Sequence, residues 1–224
     1  MQNDASEISW GNNMRYHLSR CVWEITLACC FSCKYCGSEG GKAREDELTT
    51  EECLDVVKQL GDLGCQRVSM IGGEVFMRPD WKEIVSALSR KNINVNIITN
   101  GFIFDENIIR NIKEAGVESV SVSIDGPKDI HDKYRQNGSF ERAVKAMEIL
   151  CKADIPVSVI TTLNRENSEY LDTLLQTLRP FPIYAWQLQA CSPMGNAVKN
   201  GIDYAFDVSK VIGFVEKNAP NVPF

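Results

Sequence analysis

Hydrophobic positions along the chain alternate between two spacings, and the alternation repeats six times. Short runs rich in β-formers occupy Cys21–Leu27, Arg67–Ile71, Asn94–Ile98, Val117–Ile124, Pro156–Thr162 and Ile183–Ala190. Each precedes a stretch whose apolar residues recur about every 3.6 positions, the period of one helix face. Those faces are Cys53, Val56, Val57 and Leu60; Trp81, Ile84, Val85 and Leu88; Ile108, Ile109, Ile112 and Ala115; Val144, Met147 and Leu150; Leu171, Leu174, Leu175 and Leu178; and Val208, Val211, Ile212 and Val215. Thr49-Thr50-Glu51-Glu52 predicts a capping box at the first helix. A longer connection carrying His131 and Arg135 separates the fourth strand from its helix. Residues 1–19 lack a clear period and read as an irregular lead-in, leaving 20–224 as one core domain.

Strands separated by helices must run parallel and cross over right-handed. Six βα units predict an α/β fold, a partial (β/α)6 TIM-like barrel, with a doubly wound sheet as the alternative. The unusual residues favour the barrel. Gly72-Gly73-Glu74, Thr99-Asn100-Gly101, Ser123-Ile124-Asp125-Gly126, Leu163-Asn164 and Gln189-Ala190-Cys191 all fall at C-terminal ends of strands, which a barrel gathers at one mouth.

Composition then narrows the chemistry. The 224 residues are 44% hydrophobic and 24% charged, ordinary for a globular protein. A net charge of -6 with no basic block argues against nucleic acid. No apolar run approaches a membrane span. Nine cysteines, an odd number with four crowded between 29 and 36, fit metal binding in a reducing cytosol better than a disulfide framework.

Cys29, Cys33 and Cys36 form a Cys-x-x-x-Cys-x-x-Cys array directly after the first strand. Structural zinc, a redox pair, an electron-transfer centre and an open-site cluster could each use them. Zinc needs a fourth ligand, and His17 and His131 lack finger spacing. A fully ligated 4Fe-4S cluster takes four cysteines, so three would leave one iron free to react.

With Tyr35 before the last cysteine and Gly72-Gly73-Glu74 after the second strand, the array resembles the radical S-adenosylmethionine (SAM) superfamily. Ser123 to Pro127, His131-Asp132-x-Tyr134-Arg135, Gly138-Ser139-Phe140 and Pro193-Met194-Gly195 are similar to its SPASM or twitch branch, which modifies peptides and proteins. The resemblance implies that Cys29, Cys33 and Cys36 hold three irons of a 4Fe-4S cluster while SAM chelates the fourth. An electron then cleaves SAM, and a 5′-deoxyadenosyl radical takes a hydrogen atom from the substrate. It also implies that Tyr35 packs beside cluster and adenine, and that Gly72, Gly73 and Glu74 receive the methionyl ammonium. Ser123 would meet the ribose, Arg135 would pair bidentately with the SAM carboxylate, and Asn100 would line the pocket or serve the turn before Gly101. Cys30 is expected to stand outside the ligand set, Cys191 to sit at the mouth, and His131 to be structural. No residue is assigned as the catalytic hydrogen-atom partner.

Two departures shape the functional expectation. Val75-Phe76-Met77 replaces the proline the family usually carries after Gly-Gly-Glu. No Cys-rich auxiliary-cluster domain follows Phe224, and the N-terminus has no room for a leader-binding winged helix. A fragment, a partner protein or a lost requirement would each explain that. The expected partners are a peptide or small-molecule substrate and an electron donor such as flavodoxin or ferredoxin. The alternatives are radical chemistry on a small metabolite, or a non-catalytic Fe-S or metal-binding subunit.

Overall fold

A computed structural model of the chain describes residues 7–10, 14–222 and 224. Strands β1 (Glu7–Trp10) and β2 (Met14–His17) pair antiparallel, Glu7 opposite His17. The expectation of an irregular lead-in is corrected by this hairpin. Gly11-Asn12-Asn13 lies outside the described residues, as do 1–6 and 223; glycine and asparagine between strands are a hairpin signal.

Six strands make the main sheet: β3 (Arg20–Glu24), β4 (Arg67–Ile71), β5 (Asn94–Thr99), β6 (Ser119–Ser123), β7 (Val157–Leu163) and β8 (Ala185–Ala190). All adjacent pairs are parallel and the spatial order equals the chain order. That order excludes the doubly wound alternative, whose strand sequence must reverse at a switch point. The sheet curls into an incomplete barrel whose edges, β3 and β8, do not pair with each other. Three strands are shorter than expected: β3 ends at Glu24, β6 spans only Ser119–Ser123 and β8 starts at Ala185.

Helices α1 (Thr50–Asp62), α2 (Trp81–Arg90), α3 (Glu106–Ala115), α4 (Lys128–Tyr134), α5 (Ser139–Lys152), α6 (Leu171–Leu178), α7 (Asn196–Lys199) and α8 (Val208–Asn218) follow in order. The Thr49–Glu52 capping box forms, with Thr49 N donating to Glu52 Oε2 at 2.8 Å. Alternation along the strands divides the sheet's two faces. Met70, Ile97, Val122 and Val159 belong with Ile84, Leu88, Met147, Leu150, Leu174 and Leu178 to the buried core. The other face is concave and polar. Asn96 Nδ2 donates to Ser119 Oγ at 2.9 Å and Ser121 Oγ at 3.1 Å, and Ser121 and Ser158 share a 2.6 Å hydroxyl bond. These self-satisfied groups floor a barrel that opens upward. Among the described residues no helix is long and apolar enough to cross a membrane.

Candidate active site

The chain after β3 stays extended long enough to be stitched to the end of β4. Ile25 N donates to Ile71 O, Gly73 N to Thr26 O at 2.8 Å, and Glu74 N to Ala28 O at 2.7 Å. Cys29 N and Gly41 N then close the cysteine loop at its base by donating to Gly41 O and Leu27 O. Glu47 secures the root from below, accepting from Thr26 Oγ1 and Leu27 N. Sequence-distant residues clamp the far side of the loop. Asn196 N donates to Cys36 O at 2.9 Å, and Asn196 Nδ2 to Cys33 O at 3.1 Å. Gly195 makes that contact feasible: at φ +54°, its Cβ would stand 2.5 Å from Cys36 O and Gly37 O.

A cavity of about 530 Å³ occupies the mouth and the concave face beneath it. Cys29, Cys33 and Cys36 line it, together with Tyr35, Gly72, Gly73, Asn100, Ser123 and Arg135. Cys30 does not line it, although Asn100 Nδ2 approaches both Cys29 Sγ and Cys30 Sγ, at 3.7 and 3.6 Å. Burial pushes the Cys33 thiol up to about 11, so it stays protonated near neutrality unless a cation stabilises the thiolate. Cys191 also lines the cavity and is 5% exposed.

Glu74 departs from the expectation of an ammonium acceptor. It does not line the cavity and is only 1% exposed. Its carboxylate accepts from Thr99 Oγ1 at 2.9 Å and from Asn100 N at 2.9 Å, tying the end of β4 to the end of β5. Burial raises its pKa to about 7 despite these donors. The folded chain therefore binds more protons than the unfolded one between about pH 4.5 and 7, and stability falls as pH rises through that window. Cluster-free protein is expected to lose on the order of 3 kcal/mol across it. Glu74→Gln should flatten that fall, as read from urea midpoints at a series of pH values.

Arg135 lines the cavity, but its Nε donates to Asp125 Oδ2. A carboxylate in the cavity can still meet its Nη edge, which is itself a bidentate fork. Asp125 anchors that guanidinium. It is fully buried and also receives the Tyr35 hydroxyl, Thr162 N at 2.8 Å and, through its backbone O, Asn167 Nδ2. Burial opposes its ionisation, yet the Arg135 guanidinium and the hydrogen bonds from Arg135 and Tyr35 hold its carboxyl below the usual range. His131, also fully buried, accepts from Asp125 N through Nδ1 and is pushed down to about 4 by burial and by Arg135. It is neutral near pH 7 and sits in α4, within the stretch expected as a longer connection. Asp125→Asn would leave the Arg135 charge buried without a partner. Its expected cost is about 3–5 kcal/mol in denaturant unfolding, because removing one member of a buried pair strands the other.

Ser123, 7% exposed, completes the wall at the end of β6. Thr162 on β7 and Gln187 and Gln189 on β8 also line the cavity and add polar groups to its wall. The family model described as the Radical SAM superfamily matches residues 23–178, from β3 through α6. The chain belongs to the radical SAM superfamily. Members of that superfamily work with a 4Fe-4S cluster and SAM. The AdoMet-dependent heme synthase of Methanosarcina barkeri (strain Fusaro / DSM 804) is 31% identical over 177 residues, 78% of this chain and 51% of that protein. The sporulation killing factor maturation protein SkfB of Bacillus subtilis (strain 168) is 31% identical over 157 residues, 70% of this chain and 38% of its own. The chain thus spans about half or less of these relatives' length. Streptococcus suis SuiB bound to S-adenosylmethionine superposes with a TM-score of 0.80 at 15% identity, over 92% of this chain and 48% of that one. SuiB bound to its precursor peptide SuiA gives 0.77 at 14% identity, over 92% and 48%. These likenesses establish the shared half-barrel fold.

Proposed function

We propose that Cys29, Cys33 and Cys36 hold three irons of the cluster, that SAM occupies the cavity beside them, and that the substrate is a peptide. The observation that carries the assignment is that these three thiols, and not Cys30, line one cavity shared with Gly72, Gly73, Asn100, Ser123 and Arg135. Among the described residues no three His, Cys, Asp or Glu side chains converge as ligands of a single ion do. A 4Fe-4S cube makes a different demand, since each cysteine takes its own iron and the thiols need only line a cage. The residues present fit that cofactor. When bound, the cluster supplies the electron for reductive SAM cleavage, which generates the hydrogen-atom abstractor.

The chain's own residues position the reactants. Gly72 and Gly73 leave the cavity wall without side chains, so the methionyl group can approach the backbone closely. The Ser123 hydroxyl, without a hydrogen-bond partner among the described residues, is available to the ribose. The Nη edge of Arg135 is available to the SAM carboxylate. Tyr35, held by Asp125 and packed against Tyr134 with tilted rings whose centroids are 5.7 Å apart, walls the site against water.

The peptide reading rests on the unpaired edges β3 and β8, which leave a side entrance for an extended chain, and on Gln187 and Gln189, whose amides suit backbone partners. The peptide-maturing relative SkfB supports it. The heme synthase relative favours a tetrapyrrole as the second reading. Deuterium transfer separates the two. A deuterated substrate peptide is expected to pass label into 5′-deoxyadenosine; transfer from a deuterated porphyrin alone would overturn the peptide assignment. The chemistry is suited to a reducing cytosol.

A further inference from the structure

The thiols of the cysteine array differ in the donors that reach them. Phe31 N donates to Cys29 Sγ and Gly40 N to Cys36 Sγ, each at 3.4 Å. Both are backbone donors, set by the path of the cysteine loop. Among the described residues one side-chain amide adds to them: Asn100 Nδ2, 3.7 Å from Cys29 Sγ and 3.6 Å from Cys30 Sγ. It follows the end of β5, 71 positions from Cys29, so the fold delivers it.

Three bonds fix the turn that carries it. Asn100 N donates to Glu74 Oε2 at 2.9 Å, Gly101 N to Thr99 Oγ1 at 3.1 Å, and Phe102 N to Asn100 Oδ1 at 2.8 Å. With Oδ1 committed as an acceptor, the NH2 end of the amide faces the sulfurs, and among the described residues they are its only partners. The residue is buried, at 6% exposure. The turn alone does not call for an amide, because aspartate and serine accept from a backbone N–H two residues on just as asparagine does. What asparagine brings, and those residues lack, is Nδ2. A buried N–H aimed at a ligand sulfur stabilises the state in which that sulfur carries more negative charge, and hydrogen bonds to the sulfurs help set the potential of an iron–sulfur centre.

We propose that Asn100, acting through Cys29, raises the reduction potential of the cluster and so eases entry of the electron that cleaves SAM. Cys30 supplies the amide's second acceptor and holds it in place without ligating iron. This rests on the cluster assignment above.

The test compares wild type with Asn100→Ser and Asn100→Leu, reconstituted without oxygen and titrated without SAM. Serine keeps an oxygen that can accept from Phe102 N but is too short to reach the sulfurs, and leucine keeps the volume. Bound iron, the urea midpoint and the fraction of reduced cluster at a series of applied potentials, read by electron paramagnetic resonance, are measured on each. Both variants should keep their iron. At the potential that half-reduces wild type, their ratio of reduced to oxidised cluster should be about tenfold lower, since a hydrogen bond to a charged acceptor is worth about that factor. For a one-electron couple this is a midpoint about 59 mV more negative. An Asn100→Ser chain with full iron and the wild-type midpoint would overturn the tuning role. Loss of iron or of the fold in both variants would overturn it too, because a purely structural turn predicts that result. Wild type without reducible iron would overturn the cluster assignment and the tuning role together, and is told apart by the missing signal in the unmodified chain.

Discussion

Cys33→Ala, purified and reconstituted without oxygen, is expected to hold fewer than about one iron per chain and to cleave SAM only at background. The loop itself should survive. Its base is closed by backbone bonds from Cys29 and Gly41, and its far side is gripped at the carbonyls of Cys33 and Cys36 by Asn196. None of these bonds uses the Cys33 thiol, so the folding cost should stay near 1 kcal/mol or below. Cys30→Ala is the matched comparison. Cys30 is adjacent in sequence but does not line the cavity, and that variant should keep its iron and its activity. A Cys33→Ala chain with full iron, or a Cys30→Ala chain without it, would refute the ligand set.

Gly73→Ala should be strongly damaging. Its Cβ would lie 2.4 Å from Leu27 O and 2.5 Å from Ala28 O. Both neighbours are backbone, with no side chain able to swing aside. Relief therefore requires breaking the stitches from Gly73 N to Thr26 O and from Glu74 N to Ala28 O. The same movement shifts the root of the cysteine loop relative to the end of β4. A loss of roughly 2–4 kcal/mol in stability is expected. SAM cleavage should fall about a hundredfold or more, because displacements near 1 Å at a reacting site cost that much. Gly213→Ala in α8 is the counterpart: nothing lies within 4 Å of its Cβ, and it should be neutral or stabilising by up to about 1 kcal/mol. Urea midpoints and 5′-deoxyadenosine rates read both.

The six βα units were legible because each strand and helix carries its own period, and the mouth was legible because chemistry-bearing residues follow each strand. Periodicity says nothing of spatial order, so only the observed order β3 to β8 could exclude the doubly wound sheet. Short elements escaped for a related reason. Helix α4 spans seven residues, too few to establish a 3.6-residue period, and the β1–β2 hairpin has only four residues per strand. Glu74 beside two glycines suggests a ligand group, and spacing gives no hint that its buried carboxylate braces two strand ends. Asp125 was passed over for the opposite reason: its partners Tyr35, Arg135, His131 and Thr162 come from separate parts of the chain and only meet after folding. The Asn196 clamp on Cys33 spans 163 positions and leaves no local trace.

The central claim is that the three-cysteine cavity holds a cluster able to cleave SAM. Its most direct measurement is 5′-deoxyadenosine produced from SAM by the anaerobically reconstituted, dithionite-reduced chain. With about three to four irons bound per chain, the account predicts steady production that Cys33→Ala abolishes. Iron-replete, reduced protein that forms no 5′-deoxyadenosine, or a Cys33→Ala chain that forms it at the wild-type rate, would contradict the account.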